Sequence, residues 1–357
     1  MKKTLIIAEA GVNHDGSAEQ AKRLIDVAAE SGADVVKFQT FRAENVVTRE
    51  ATKAAYQKET TGADESQLDM LRKLELSASA HMDLADHCRG RGIQFLSTPF
   101  DLPSVDFLGR DLGMPTFKIA SGEITNAPLM LKVATYRRPM IVSTGMSDLD
   151  EIRDALGILA YGLIAPDASP CLDSFRDAFE SDDGRAALSA HVSLLHCTTS
   201  YPTPFSDVNL RAMDVLAATF GLPVGLSDHS LGTTVPIAAV ARGARIVEKH
   251  FTLDRALDGP DHQASLEPQE LAAMVREIRS VEIVLGDGTK VPGHSELVNR
   301  EVARRSLVAA RRIKEGDVFD EGNLTTKRPG TGISSIFYYD WLGRRAEADY
   351  DEGDLIQ

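Results

Sequence analysis

The chain has 357 residues, 53 acidic against 39 basic, a formal net charge of −14, and 43% hydrophobic and 26% charged residues. That is an ordinary soluble composition, long enough for one large domain and an appendage, and an acidic balance without any basic block excludes a nucleic-acid-binding arm. No apolar run reaches membrane-spanning length, and the apolar part of the opening MKKTLIIAEA is too short for a signal peptide. Three scattered cysteines, Cys88, Cys171 and Cys197, fit neither a disulfide framework nor a zinc site but free buried thiols, so a cytoplasmic location is expected.

The apolar run LIIAEA, from Leu5, predicts a first strand. SAEQAKRLIDVAAESG then predicts a helix: Ser17 and Gln20 have capping-box spacing, Ala21, Leu24, Ile25 and Ala28 form one apolar face, and Gly32 is a stop. Further short apolar runs start at Asp34 (DVVKFQT), Ile93 (IQFLSTPF), Thr116 (TFKIASGE) and Met140 (MIVSTGM). SDLDEIRDALGIL predicts a helix capped by Ser147, with Leu149, Ile152 and Leu156 on its apolar side. Residues 161–190, rich in Asp, Ala and Ser, break the spacing and read as a helix-to-strand excursion on the outside. Three more runs begin at Val192 (VSLLHCTTSYP), Val224 (VGLSDH) and Arg245 (RIVEKHF). EPQELAAMVREIRSVEIVLG closes the series as a helix, with Pro268 near its start and Leu271, Met274, Val275 and Ile278 as its stripe.

The runs are continuous rather than alternating, as for parallel strands buried on both faces. Strand and helix alternate eight times, which predicts an α/β chain folded as a (β/α)8 TIM barrel. A doubly wound open sheet is the second choice, but no Gly-x-Gly-x-x-Gly follows the first strand. After Gly288 the texture changes to a polar linker over 289–305 and then short β-like pieces broken by turns. The expected organisation is a barrel over 1–288 and a small β-rich domain over 306–357.

Barrel active sites lie at the carboxyl ends of the strands. Those ends carry, in order, Glu9; Lys37 and Gln39; Ser97 and Thr98; Lys118, Ser121 and Glu123; Ser143 and Thr144; His196, Thr198 and Tyr201; Ser227, Asp228 and His229; Glu248 and His250. Each alone is ambiguous, since a strand lysine can snorkel and a strand histidine can simply close a core hydrogen bond. Together, Lys37 and Lys118 beside Thr98, Ser121, Ser143 and Ser227 have the composition of an anion site. His229 and His250, ending consecutive strands, can share one divalent metal through neutral imidazoles and leave coordination positions open. Glu9 and Glu123 suit acid–base work near that metal, although an ion pair with a strand lysine fits Glu9 as well. His14, His196 and His262 are secondary candidates; His81, His87, His191 and His294 read as surface or structural.

The ordered segments IIAEAGVNHDG, VVKFQTF, FLSTPFD, FKIASGEITN, IVSTGM, LLHCTTSYP, GLSDHS, EKHFTLD and GPDHQASLEP resemble the bacterial sialic acid synthases. LVAARRIKEGD with NLTTKRPGTGIS resembles their carboxyl-terminal antifreeze-like (SAF) domain, a β-clip fold related to type III antifreeze proteins. The resemblance runs nearly end to end and departs at the 161–190 excursion. It implies condensation of phosphoenolpyruvate with an open-chain, N-acetylated mannosamine-type sugar to a nine-carbon 2-keto acid, with phosphate released by C–O cleavage. Residue by residue, it implies that Lys37, Thr98, Lys118, Ser121, Ser143 and Ser227 bind phosphoenolpyruvate. It implies that His229 and His250 hold manganese (Mg2+ or Co2+ being substitutes), that Glu123 handles protons, and that Gln39, Tyr201 and Asp261 face the sugar. Arg328, in KRPG, matches an arginine that the small domain of one subunit inserts into its partner's barrel, which implies a domain-swapped homodimer.

KFQTF and AAYQKETTGADESQLDMLRKLELS look more like the branch that makes N,N'-diacetyllegionaminate from 2,4-diacetamido-2,4,6-trideoxymannose than like the N-acetylneuraminate branch, which uses N-acetylmannosamine. Phe38 is either an apolar contact for that less polar sugar or part of the barrel wall. The residues alone also allow a Schiff-base aldolase acting through Lys37 or Lys118. An ice- or glycan-binding module on an inert barrel is disfavoured by the polar strand ends.

Overall fold

The computed structural model describes residues 3–62, 64–165 and 169–357. Its parallel strands are β1 (Leu5–Gly11), β2 (Val35–Thr40), β3 (Gln94–Pro99), β4 (Phe117–Ile119), β5 (Met140–Ser143), β6 (Val192–Cys197), β7 (Val224–Asp228) and β8 (Ile246–His250). They hydrogen-bond in the order β3-β2-β1-β8-β7-β6-β5-β4. First and last strands meet, with Leu5 opposite Ile246 and Glu9 opposite His250. β5, β7 and β8 are buried at every position, so the apolar residues that open them have no solvent-facing positions to alternate with. β3 and β4 are neighbours without a ladder between them. There the Ser97 N–H donates to the Met114 sulfur at 3.2 Å. The result is the expected (β/α)8 barrel with one unlaced seam.

The helix Ala18–Glu30 starts where Ser17 accepts a hydrogen bond from the Gln20 N–H and buries Ala21, Leu24, Ile25 and Ala28. The helix Leu149–Ile164 is capped by Asp148 rather than by Ser147. The Asp148 carboxylate accepts from the N–H groups of Asp150 and Glu151, and Glu151 returns a bond to the cap, a stronger arrangement than one hydroxyl supplies. Pro268 opens the helix Pro268–Val284, whose buried residues are Leu271, Met274, Val275 and Ile278.

The 161–190 excursion, of which 166–168 lie outside the described residues, folds into the helices Leu172–Glu180 and Asp182–His191. It packs on the helix Leu149–Ile164, with the Phe175 ring 5.2 Å from that of Tyr161. Gly157 makes the approach possible, because a Cβ there would lie 2.6 Å from the Phe175 carbonyl. The cysteine expectation needs correction: Cys171 is exposed, and only Cys88 and Cys197 are buried thiols. The polar linker contains the helix His294–Ala303.

The chain divides into two compact units, Met1–Gly286 and Asp287–Gln357. In the second, β9 (Ser306–Ala309) pairs antiparallel with β10 (Leu324–Lys327) over a core of Leu307, Ile313, Phe319, Leu324, Tyr350 and Ile356. The Gly330 N–H donates to the Glu301 carbonyl at 2.6 Å, tying the 294–303 helix to this unit.

One charge cluster secures the amino-terminal face of the barrel. Asp34 accepts from the Ile6 N–H at 2.9 Å, pairs with Lys3 at 2.6 Å and meets Arg279 of the last barrel helix at 2.5 Å. Burial alone would raise the Asp34 carboxyl, but Lys3, the Ile6 N–H and Arg279 outweigh it and hold it below its ordinary value. Its stabilising contribution is therefore present above the unfolded carboxyl's titration and disappears as pH falls through the depressed folded value. Asp34→Asn should lower stability by about 1 kcal/mol at pH 7. In urea denaturation at pH 7 and pH 3, the gap to the wild type should shrink at the lower pH; a constant gap would show that charge is not what Asp34 contributes.

Candidate active site

Alternation along a strand decides what faces the barrel interior. On β2, Lys37 and Gln39 line a cavity of about 770 Å³ at the carboxyl ends of the strands. Between them Phe38 is fully buried in the wall, its ring stacked on Phe95 at 5.8 Å, so it is not a cavity contact. On β7 and just beyond it Ser227 and His229 line the cavity, and on β8 Glu248 and His250 do. The intervening Asp228 and Lys249 pair with each other at 2.6 Å, fully buried.

At the base of the cavity are two ammonium groups and two carboxyls. Lys37 Nζ lies 2.7 Å from Glu9 Oε2 and 3.7 Å from Glu248 Oε2, and donates to Thr98 Oγ1 at 3.2 Å. Lys118 Nζ donates to Ser143 Oγ at 2.7 Å and to the Ile119 carbonyl at 3.2 Å, with Glu248 Oε1 at 3.7 Å. Ser227 Oγ donates to the same Glu248 oxygen at 3.0 Å. Burial would raise Glu248, but Lys118 and Lys37 outweigh it and hold it below its ordinary value. Glu9, with only Lys37 close by, is pushed up to about 7 by burial and by the Glu248 charge. Burial would lower Lys37, but Glu248 and Glu9 outweigh it and keep it an ammonium ion. Burial leaves Lys118 below its ordinary value. Lys118 has no carboxylate closer than 3.7 Å among the described residues, so its charge is the one available to an incoming anion.

Above this base, the imidazoles of His229 and His250 lie with ring centroids 5.4 Å apart. His229 Nδ1 donates to the Thr198 carbonyl at 2.8 Å, which leaves Nε2 bare. His250 Nδ1 is buried without a hydrogen-bond partner, and burial, with His229 and Lys37 nearby, keeps this ring neutral, well below its ordinary value. Asp261 Oδ2 is 3.8 Å from that nitrogen, and burial pushes its carboxyl up to about 6. Burial would lower His229, but Cys197, the Thr198 carbonyl and Glu248 outweigh it and raise it above its ordinary value; a divalent cation of intermediate softness, which takes imidazoles in their neutral form, fits the bare nitrogen of His229 and the orphaned one of His250. No cluster of three His, Cys, Asp or Glu donors occurs among the described residues, so such a cation would keep positions open for water or substrate.

Comparison with known proteins gives this arrangement a family. Residues 24–290 match the NeuB family and residues 304–357 the SAF domain. The chain belongs to the NeuB family. It is 50% identical over 357 residues to the N,N'-diacetyllegionaminic acid synthase of Campylobacter jejuni, covering 100% of both chains. The Legionella pneumophila protein of the same name is 44% identical, covering 98% of this chain and 92% of its own. Among solved structures, the N-acetylneuraminic acid synthetase of Leptospira borgpetersenii matches with a TM-score of 0.66 at 32% identity, covering 84% of this chain and 90% of that one.

Within this NeuB-family barrel, Glu9, Lys37, Gln39, Thr98, Lys118, Ser121, Ser143, Tyr201, Ser227, His229 and His250 come together on the cavity wall. Glu123 does not: it is half-buried on the turn after β4, and its Oε2 accepts from Asn126 at 2.6 Å. His14, His196 and His262 are not on this cavity wall: His14 accepts from the Gly16 N–H, His196 bonds the Val208 carbonyl, and His262 bonds Thr252 and Asp15. His81, bonded to Thr40, is structural. Arg328 lies in the second unit, exposed on the turn after β10. Glu248, read from the sequence only as a strand-end residue, is the carboxylate shared by both lysines. Its sequence signal was the two-residue spacing from His250. Tyr56 on the helix Ala55–Thr61 also lines the cavity, and no strand-end argument reaches it.

Lys249→Met should cost about 3–5 kcal/mol by leaving Asp228 charged and buried without a partner. Asp228→Leu with Lys249→Met should recover most of that loss in urea denaturation; equal stability of single and double variants would mean that the ion pair itself is not what matters.

Proposed function

We propose that this chain condenses phosphoenolpyruvate with open-chain 2,4-diacetamido-2,4,6-trideoxymannose to give N,N'-diacetyllegionaminate and phosphate. The observation that carries this reading is a single cavity with two ammonium groups at its base and two imidazoles above them, in a chain half identical over its full length to a protein of that name. Lys118, with Lys37, Thr98, Ser143 and Ser227, would hold the phosphate and carboxylate of phosphoenolpyruvate by charge and hydroxyl donors. His229 and His250 would hold Mn2+, which when bound supplies Lewis-acid polarisation of the aldehyde. Gln39 and Tyr201 line the cavity on the sugar side, with Asp261 behind His250.

The residues then hold the enol C3 of phosphoenolpyruvate against the aldehyde carbon. The new C–C bond takes the C2–C3 π pair and leaves C2 electron-poor. Water adds at C2, and the C2–O bond to phosphate breaks, so the leaving phosphate keeps the bridging oxygen and the keto oxygen comes from water. Of the two water protons, one ends on the former aldehyde oxygen and the other on phosphate or solvent. Glu9, on the cavity wall beside Gln39 at 3.5 Å, is positioned to take and return a proton. Lys37 is held as an ammonium ion by Glu248 and Glu9, which disfavours imine chemistry at that residue.

Phosphate release from phosphoenolpyruvate should be faster with the diacetamido sugar than with N-acetylmannosamine. Chelation should abolish turnover and Mn2+ restore it, and His250→Ala should lower bound metal with circular dichroism unchanged. Full activity in the chelated enzyme, or no release with either sugar, overturns the reading.

We extend the proposal to a cytoplasmic homodimer in which Arg328 of the partner subunit completes the sugar side. In support, the Arg328 turn is shaped rather than loose: Ser306 Oγ donates to the Pro329 carbonyl at 2.7 Å and accepts from the Gly332 N–H at 2.9 Å. No helix among the described residues is long and apolar enough to cross a membrane. Mixing inactive Arg328→Ala and inactive Lys118→Ala subunits under conditions that exchange subunits should regenerate activity, because each mixed dimer contains one intact composite site. Verified exchange without activity removes Arg328 from a shared site.

A further inference from the structure

The segment between β2 and the next barrel helix does two separable jobs. Its helix Gln67–Leu74 buries Leu68, Met70 and Leu74, packing Met70 and Leu74 with Val12 and Phe41. The helix Ala55–Thr61 contributes none of its described side chains to a core cluster. Instead Tyr56 and Gln57 line the cavity.

That short helix is held from behind. The Lys53 side chain is 1% exposed. Its ammonium donates to Thr61 Oγ1 at 2.9 Å and to the Gly62 carbonyl at 3.2 Å, and pairs with Glu65 at 3.1 Å. At the front, Gln57 Oε1 accepts from the Ala54 N–H at 3.0 Å, and Gln57 Nε2 donates to the Tyr56 hydroxyl at 3.4 Å. A buried lysine closing a loop around a helix whose described side chains join no core cluster indicates a wall built for what it faces.

Tyr56 faces a row of rings. Its ring stacks on Tyr201 at 5.0 Å and 28°, and the Tyr201 ring lies 4.1 Å from His229. Tyr56, Tyr201, His229 and His250 all line the one cavity, so an open-chain sugar with its aldehyde at the imidazoles would extend along this row toward Tyr56. Aromatic faces suit methyl and flat amide groups better than hydroxyls, which lose water against them.

We propose that Tyr56 selects the sugar by receiving its distal half, the 4-acetamido and 6-methyl groups, against the part of its ring that faces the cavity and is not covered by Tyr201. The inference rests on the condensation proposed above. It assigns discrimination to a helix outside the strand ends that supply the reacting groups. Apolar contacts of this size discriminate by about 10–200-fold.

The test compares kcat/KM for 2,4-diacetamido-2,4,6-trideoxymannose and for N-acetylmannosamine, with phosphoenolpyruvate and Mn2+, in full-length wild type, Tyr56→Ala, Tyr56→Leu and Tyr56→Phe. In Tyr56→Ala the preference for the diacetamido sugar should fall about tenfold or more, through a higher KM for that sugar, while the KM for phosphoenolpyruvate stays within about twofold. Tyr56→Phe, which keeps the ring, should restore most of the preference. Tyr56→Leu serves if the alanine variant does not fold, and should also lose preference. A preference unchanged in the alanine or leucine variant overturns the proposal, as does an equal loss for both sugars or a phenylalanine variant that behaves like alanine. A wild type inert toward both sugars overturns the condensation itself, and this assignment with it.

Discussion

An ammonium group moved from water into a barrel interior loses its hydration, and only opposite charge and hydrogen bonds at close range offset that loss. Lys37 and Lys118 face this constraint together. Glu9 satisfies Lys37, and Glu248 is shared more distantly by both. The sharing leaves Lys118 incompletely neutralised, which is the property an anion site needs. It also sets the two carboxyls apart in acidity: Glu248 stays ionised between the lysines while Glu9 moves to about 7. The hydroxyls of Thr98, Ser143 and Ser227 complete the shell, so displacement of any one charge changes the others.

Much of this was legible in the sequence because strand ends carry barrel chemistry and continuous apolar runs mark the strands. The spacing also sorts residues, once alternation is applied to polar as well as apolar positions. Lys37 and Gln39, Ser227 and His229, and Glu248 and His250 are pairs two apart, and each pair faces the cavity. Asp228 and Lys249 fall on the opposite face and neutralise each other. What the sequence could not distinguish was which histidines are committed elsewhere. His14, His196 and His262 are separated from His229 and His250 by their placement, since only the latter two line the cavity. Glu123 lies outside the lining that Ser121 and Gly122 join, on the turn after the short β4, a placement that strand-end position alone does not give.

Long excursions were the least legible part. The helices of 172–191 and the Ala55–Thr61 helix both interrupt the strand rhythm with polar sequence. The first covers the outside of the helix Leu149–Ile164 through Phe175, and the second turns a tyrosine inward. Composition does not separate these outcomes, because all three helices are short and polar, and tertiary partners decide which face is used.

The unlaced seam has its own consequence. Seven of the eight strand junctions are fastened by backbone ladders, but at the eighth a β3 amide ends on the Met114 sulfur. Thr98 belongs to β3 and Lys118 to β4, so the two sides of the seam each present to the cavity one of the groups proposed to hold phosphoenolpyruvate. A bound phosphate would therefore act as a fastener across it, substituting for the missing ladder. In such a barrel, rigidity and occupancy are the same variable on one side of the wall, and hydrogen–deuterium exchange along β3 and β4 would report ligation rather than global unfolding.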